Sequence, residues 1–285
     1  MTRSATFAPA QTGSWMKCGR SIIIAVMLLL VGRTACAFDQ THAAWDALLK
    51  RDVVVAPGGN ASRVNYAAFK RDQDALNLYL DGLSAVAPAE YEGWTREQQL
   101  AFLINAYNGY TIKLVLTRYP GIKSIKDLGS LVQSPWKKEF FTLLGAARSL
   151  DTVEHGMIRA PGAFDEPRIH FALNCASIGC PMLREEAYVA ERLDAQLESG
   201  VRRFLGDRTR NRYDPVSDRL ELSPIFDWYK ADFEKGSRGI TSVPQFLARY
   251  ADFIADEAVG HAMVRRGKLP IRYLDYDWTL NDVKP

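Results

Sequence analysis

The sequence predicts an α+β fold, with a helix-rich N-terminal half packed on a small, mainly antiparallel β-sheet in a single domain. Three observations carry this expectation. Apolar residues recur at helical spacing through the first half, as at Leu76, Leu80 and Leu83. Short alternating runs such as Arg219-Leu220-Glu221-Leu222 are confined to the second half. From Phe38 to Pro285 no Ser/Gly/Pro linker, charge block or repeat divides the chain, and aliphatic and aromatic residues suffice for one large core.

Residues 1–37 stand apart from that domain. Lys17 and Arg20 precede an unbroken apolar run from Ile22 to Val31, and Ala35-Cys36-Ala37 supplies a small-x-small cleavage pattern, so the segment reads as a signal peptide cut after Ala37. The apolar run falls well short of the roughly 20 residues a membrane span needs. Met16-Lys17 is the natural start of such a leader, and export to the periplasm or medium is the expected destination. Removing the leader takes away Arg3, Lys17, Arg20 and Arg33 with no acidic residue, which moves the net charge from +3 to −1. A near-neutral chain gives no electrostatic case for nucleic acid or an anionic membrane surface as partner. After cleavage no stable membrane span is expected, and Cys175 and Cys180 are the cysteines that stay.

Along the domain, a first helix is expected over His42 to Lys50 and a loop over Ala56 to Val64 (APGGNASRV). Tyr66 to Leu83 reads as a helix, and Thr95-Arg96-Glu97-Gln98 is a capping-box signature opening a long helix that Pro120 closes. Asn105 and Asn108 lie three apart within that helix, close enough to address one polar neighbour, although amides at such positions more often bond nearby backbone. A strand or hairpin is expected near Glu139 to Gly145, then a helix begun by Asp151 with Glu154 at the capping-box position and His155 and Arg159 on one face. Arg168 to Leu173 alternates as a strand would, with Arg168 and His170 on one side and Ile169, Phe171 and Leu173 on the other. Cys175 comes next, and Ala176-Ser177-Ile178-Gly179 turns the chain to Cys180-Pro181, whose proline restricts Cys180 to extended geometry. Glu191 to Leu205 is an amphipathic helix, Ile225 to Phe233 carries aromatic and acidic residues at a spacing typical of core packing, and residues 271 to 281 read as a closing strand.

NAYNGYTI (105 to 112), Glu154-His155 with Arg159, RIHFALNCASIGCPMLR (168 to 184) and IFDWYKADF (225 to 233) together resemble the bacterial and plant family known as domain of unknown function 547, over about residues 97 to 250. The helix-then-strand order with Cys, His and Glu is in turn similar to thiol enzymes of the papain and transglutaminase style. The cysteine that opens the central helix in those enzymes has no counterpart here.

Three readings of the cysteine block stand side by side. In the first, Cys175 or Cys180 is a nucleophile, His170 or His155 takes its proton, and Glu154 orients the imidazole. Arg168, Asn105, Asn108 and Arg159 would then bind substrate or an oxyanion. The activity would be a thiol hydrolase or acyl transferase acting on peptide-like amides, with a peptide-like or small anionic ligand. In the second, a Cys175–Cys180 disulfide shapes a binding loop or serves thiol-disulfide exchange, its short loop stabilising the fold by only about 2 kcal/mol. The third, a metal held by both cysteines and a histidine, lacks a fourth ligand and the usual zinc spacing. No cofactor motif is read from the chain, and no resident metal is expected.

Overall fold

The computed structural model describes residues 37–130 and 132–283, so the expected leader, apart from Ala37, lies outside the described residues. Helix α1 (Ala43–Asp52) runs into a hairpin of β1 (Val53–Val55) and β2 (Ser62–Val64), so the end of the expected loop is strand. The helix expected over Tyr66 to Leu83 is two, α2 (Tyr66–Arg71) and α3 (Gln73–Ala85), because the backbone leaves helical geometry at Asp72. After α4 (Pro88–Glu92) comes α5 (Arg96–Leu116), whose capping box forms as the sequence predicts. Thr95 Oγ1 accepts the Gln98 N–H at 3.2 Å, and Gln98 Oε1 accepts the Thr95 N–H at 2.9 Å. From Leu100 onward α5 is buried on almost every side, which makes it the central helix of the fold.

A hairpin of β3 (Phe141–Leu143) and β4 (Ala146–Arg148) leads to a π-helical turn over Thr152–Ile158 and then a 3-10 turn over Pro167–Phe171. Helix α6 (Leu193–Gly206), strands β5 (Arg212–Asp214) and β6 (Arg219–Leu222), and helix α7 (Ile225–Trp228) come next. A 3-10 turn at Lys230–Phe233, helices α8 (Val243–Ala248), α9 (Ala251–Ile254) and α10 (Ala258–Arg265), and strand β7 (Ile271–Tyr273) complete the α+β fold. Instead of one sheet there are three small ones, β1-β2, β3-β4 and β5-β6-β7; β6 and β7 are parallel and the other pairings antiparallel.

Two departures from expectation matter for the site. Arg168 to Leu173 is not a strand: Ile169 N–H reaches Glu166 O at 3.2 Å and Ala172 N–H reaches Ile169 O at 2.9 Å, a 3-10 pattern begun by Pro167. The alternation misleads because both sides of this segment are buried. Ile169 joins one hydrophobic cluster, with α1 to α5 and the start of α6, and Phe171 joins the other, with the end of α6 and α7 to α10. Arg168 and His170 are each about 4 % exposed and find buried acids instead of solvent. The closing strand is likewise shorter than expected, ending at Tyr273. Beyond it the chain forms a strap, in which Ile178 N–H bonds Thr279 O and Gly179 N–H bonds Asp277 O, both at 2.8 Å.

Candidate active site

Asn108, on the central helix, fixes the segment that leads to Cys175. Its Nδ2 donates to Ala172 O at 3.0 Å and its Oδ1 accepts the Asn174 N–H at 2.8 Å. Asn174 continues the relay, donating to Pro181 O at 2.8 Å and accepting the Ala176 N–H at 3.0 Å. Ala176 is held at φ 61°, a left-handed conformation that a non-glycine residue keeps only when its surroundings impose it, and such strain gathers at functional turns. Gly179 has a different reason to be glycine: a Cβ there would lie 3.0 Å from Asp277 N and from the Tyr276 ring, so the strap would have to move outward by a few tenths of an ångström to close over the turn.

That closure brings Tyr276 onto the thiol. Tyr276 Oη lies 3.1 Å from Cys175 Sγ, Ser177 Oγ lies 3.2 Å from the same sulfur, and Ser177 donates to Tyr276 at 3.1 Å. The Cys175 N–H donates to Cys180 Sγ at 2.8 Å, and neither cysteine is bonded to another sulfur. Burial opposes ionisation of Cys175, but hydrogen bonding with Cys180, Ser177 and Tyr276 outweighs it and holds this thiol below its ordinary value. Burial, and then the neighbouring Cys175, push Cys180 well above the ordinary range. Cys175, partly exposed, is therefore the more acidic sulfur of the pair, and buried Cys180 the less acidic.

Cys175 and Cys180 share a cavity of about 250 Å³ with Glu154, His155 and His170, so all five candidate catalytic residues line one space. His170 Nε2 lies 2.7 Å from Asp232 Oδ2, and its ring stacks on Tyr229 with centroids 3.9 Å apart. Burial opposes the charge on Asp232, yet bonds from His170, Arg159 and Lys235 hold its carboxyl far below the usual range. Burial outweighs the nearby carboxylates and lowers the His170 pKa. An ionised Asp232 only accepts, so Nε2 carries the proton of the neutral ring and Nδ1 keeps its lone pair.

Several expectations need correcting. No imidazole nitrogen hydrogen-bonds to either sulfur; Cys175 is partnered by Cys180 and by the hydroxyls of Ser177 and Tyr276. Glu154 does not orient His170; it accepts from Tyr229 Oη at 2.8 Å, and its nearest imidazole contact is His155 Nε2 at 3.9 Å. Nor does it cap its helix, where Ser149 Oγ accepts the Thr152 N–H. Arg168 lies away from the cavity, paired with Glu166, Asp194 and Glu198. Arg159 is engaged by Asp232 and by His155 Nδ1, with its guanidinium over the Tyr229 ring. Asn105 is fully buried, its amide bonded to both the carbonyl and the N–H of Tyr188, and Asn108 is engaged as above. Neither amide has a free end for substrate.

Other residues that build the site carry no local sign of it. Asp232 and Tyr229 sit in a stretch whose spacing predicts core packing, and Tyr276 and Trp278 in one whose composition predicts a strand. Helical spacing puts Tyr107 on a buried stripe of α5, but its ring lines the cavity and its Oη has no hydrogen-bond partner among the described residues. Burial foremost, then the charges of Glu154 and Cys175, keep its proton on. The rim is aromatic, with Trp278 against Tyr276, Trp228 and Trp136 at centroid distances of 4.5, 5.8 and 5.9 Å. Among the described residues no cluster of three His, Cys, Asp or Glu side chains is arranged to hold a metal, and no helix is long and apolar enough to cross a membrane.

Residues 91–205 match a family model described as "Protein of unknown function, DUF547". The match supports the DUF547 family, and it contains α5, the π-turn, the 3-10 turn and both cysteines, whereas Asp232, Tyr229 and the strap lie beyond it. No curated protein and no solved structure matches the chain.

Proposed function

We propose that this DUF547-type protein is a cysteine-dependent hydrolase or acyl transferase in which Cys175 is the nucleophile, His170 the proton carrier and Asp232 the positioning residue. The observation that carries the reading is the shared cavity. It holds a thiol of lowered pKa, an imidazole with an open Nδ1, and an unpartnered Tyr107 hydroxyl kept protonated by burial. Cys175 Sγ attacks an amide or ester carbonyl as its proton passes to His170 Nδ1, directly or through one water, since general-base contacts tighten as substrate enters. Tyr107 donates to the developing oxyanion. His170 returns the proton to the leaving amine or alcohol, and a thioester on Cys175 remains. Water or a second acceptor, deprotonated by His170, releases the acyl group and restores the thiol. The lining carries no Lys or Arg and two carboxylates, Asp151 and Glu154, so an uncharged or cationic substrate suits it better than a small anion.

Iodoacetamide labelling at about pH 6 without reductant, read by intact mass and peptide mapping, tests the nucleophile. The expected result is one adduct, on Cys175, formed faster than on free cysteine. A slow or unselective reaction removes the proposal. p-Nitrophenyl acetate should leave an acetyl group on the same residue.

A second reading is favoured by the Cys175 N–H bond to Cys180 Sγ: the two sulfurs are a dithiol that passes two electrons and two protons to an oxidising disulfide. The same mass measurement separates the two, because that pair would show no free thiol until reduced.

A further inference from the structure

We propose that Glu90 is the receptor for the α-ammonium group of a mature chain that begins at Phe38. The argument is independent of the thiol chemistry and joins a sequence pattern to a structural one. Ala35-Cys36-Ala37 puts the expected cut at the Ala37–Phe38 bond. In the folded protein the Phe38 nitrogen lies 2.9 Å from Glu90 Oε1. The Phe38 ring is fixed by three others, with centroids 5.1 Å from His42, 5.4 Å from Phe102 and 5.7 Å from Trp94. The residue after the cut is thus anchored by both its side chain and its nitrogen.

Hydrolysis changes what that nitrogen can do. Water adds across the peptide bond, Ala37 leaves with the carboxylate, and Phe38 keeps an amine that is protonated at neutral pH. An amide offers one uncharged N–H; the ammonium offers three donors and a full charge, and charge-assisted bonds are roughly twice as strong as neutral ones. Glu90 is unclaimed by any other cation: no Lys, Arg or His pairs with it among the described residues. Nor do its neighbours compete for the site. Asp39 is engaged by the N–H groups of Thr41 and Ala43, and burial holds His42 neutral, its pKa lowered to about 4. The leader's removal would therefore add an ion pair that seats the start of the domain on the α4–α5 edge, a contact the uncleaved chain cannot make.

The full chain, expressed in an export-competent host and recovered in soluble form, should start at Phe38 by intact mass and N-terminal sequencing. A start at any other residue overturns the proposal. Two changes then isolate the ion pair: Glu90→Gln, and a Gly-Ala insertion after Ala37 that carries the ammonium two residues away. Each alone should lower Tm by about 2–4 °C, and the two together no more than either. Additive shifts would show that Glu90 acts without the terminus. In the unmodified protein the α-amino pKa, read from the pH dependence of its acylation, should exceed its ordinary value of about 8, since an opposite charge favours the protonated form. An ordinary value would overturn the proposal even if neither variant folds.

Discussion

Arg168 and His170 leave the same 3-10 turn two residues apart, equally buried, yet they end in polar assemblies of opposite character. Arg168 meets Glu166 and Asp194 at 2.7 Å and Glu198 at 3.5 Å, and its guanidinium is closed off by acids. His170 meets one acid, Asp232, with one nitrogen and lines a cavity that Cys175 and the unpartnered Tyr107 hydroxyl also line. A satisfied network holds structure, and one with open valences is available for chemistry. The same burial that makes Arg168 a poor ligand-binding candidate keeps the His170 ring neutral, with a lone pair on Nδ1.

That contrast can be broken by substitution. Cys175→Ser is expected to abolish labelling at near-neutral pH and to reduce hydrolysis of neutral or cationic aminoacyl p-nitroanilides by ~10³-fold or more, with Tm unchanged; surviving turnover would move the chemistry elsewhere. Asp232→Asn keeps the shape but lets His170 adopt the other tautomer, so turnover should fall ~10²–10⁴-fold while Cys175 still alkylates. If alkylation and turnover fell together with a large loss of Tm, Asp232 would be as structural as the acids around Arg168.

On the other side, Arg168→Ala should cost about 3 kcal/mol of stability in urea unfolding, at the low end for a broken buried pair because Asp194 is largely exposed. Labelling of the folded fraction should not change, and a change would join the two assemblies into one. Asn105→Ala leaves both backbone groups of Tyr188 unpaired and should cost about 2 kcal/mol, again without altering the thiol. The smallest effect concerns pH. A lowered pKa means that Cys175 ionises at a lower pH than an ordinary thiol, so its labelling rate should rise with a midpoint below that of free cysteine labelled in parallel. Tyr276→Phe removes a hydrogen bond to the thiol and should move that midpoint up by about one unit or less; a downward move would contradict a Tyr276 hydroxyl that stabilises the thiolate.

Much of this is legible in the chain. The capping box of α5 forms atom for atom because its signals are local, and the five residues whose types suit thiol chemistry do meet at one cavity. Their pairing is not legible. Period-two alternation is a sound rule applied where its premise fails: it assumes one wet face, and Arg168 to Leu173 has none. Asp232 escapes notice because Phe226, Tyr229 and Phe233 around it do pack a core, and an acid among aromatics gives no local sign that it faces a histidine 62 residues earlier. Tyr276 is hidden in the same way, its hydroxyl meeting a thiol 101 residues before it.

By itself the sequence determined the helix-rich α+β class, the ends of the central helix, the turn that localises both sulfurs and the types of residue available for chemistry. Those depend on spacing, propensity and capping, which act over a few residues. Which thiol ionises, which acid holds the imidazole and which amides are already occupied were decided only in the folded chain. Each depends on burial and on partners supplied by α5, the Lys230–Phe233 turn and the C-terminal strap, and the free energy of a buried polar group is set by what surrounds it in space.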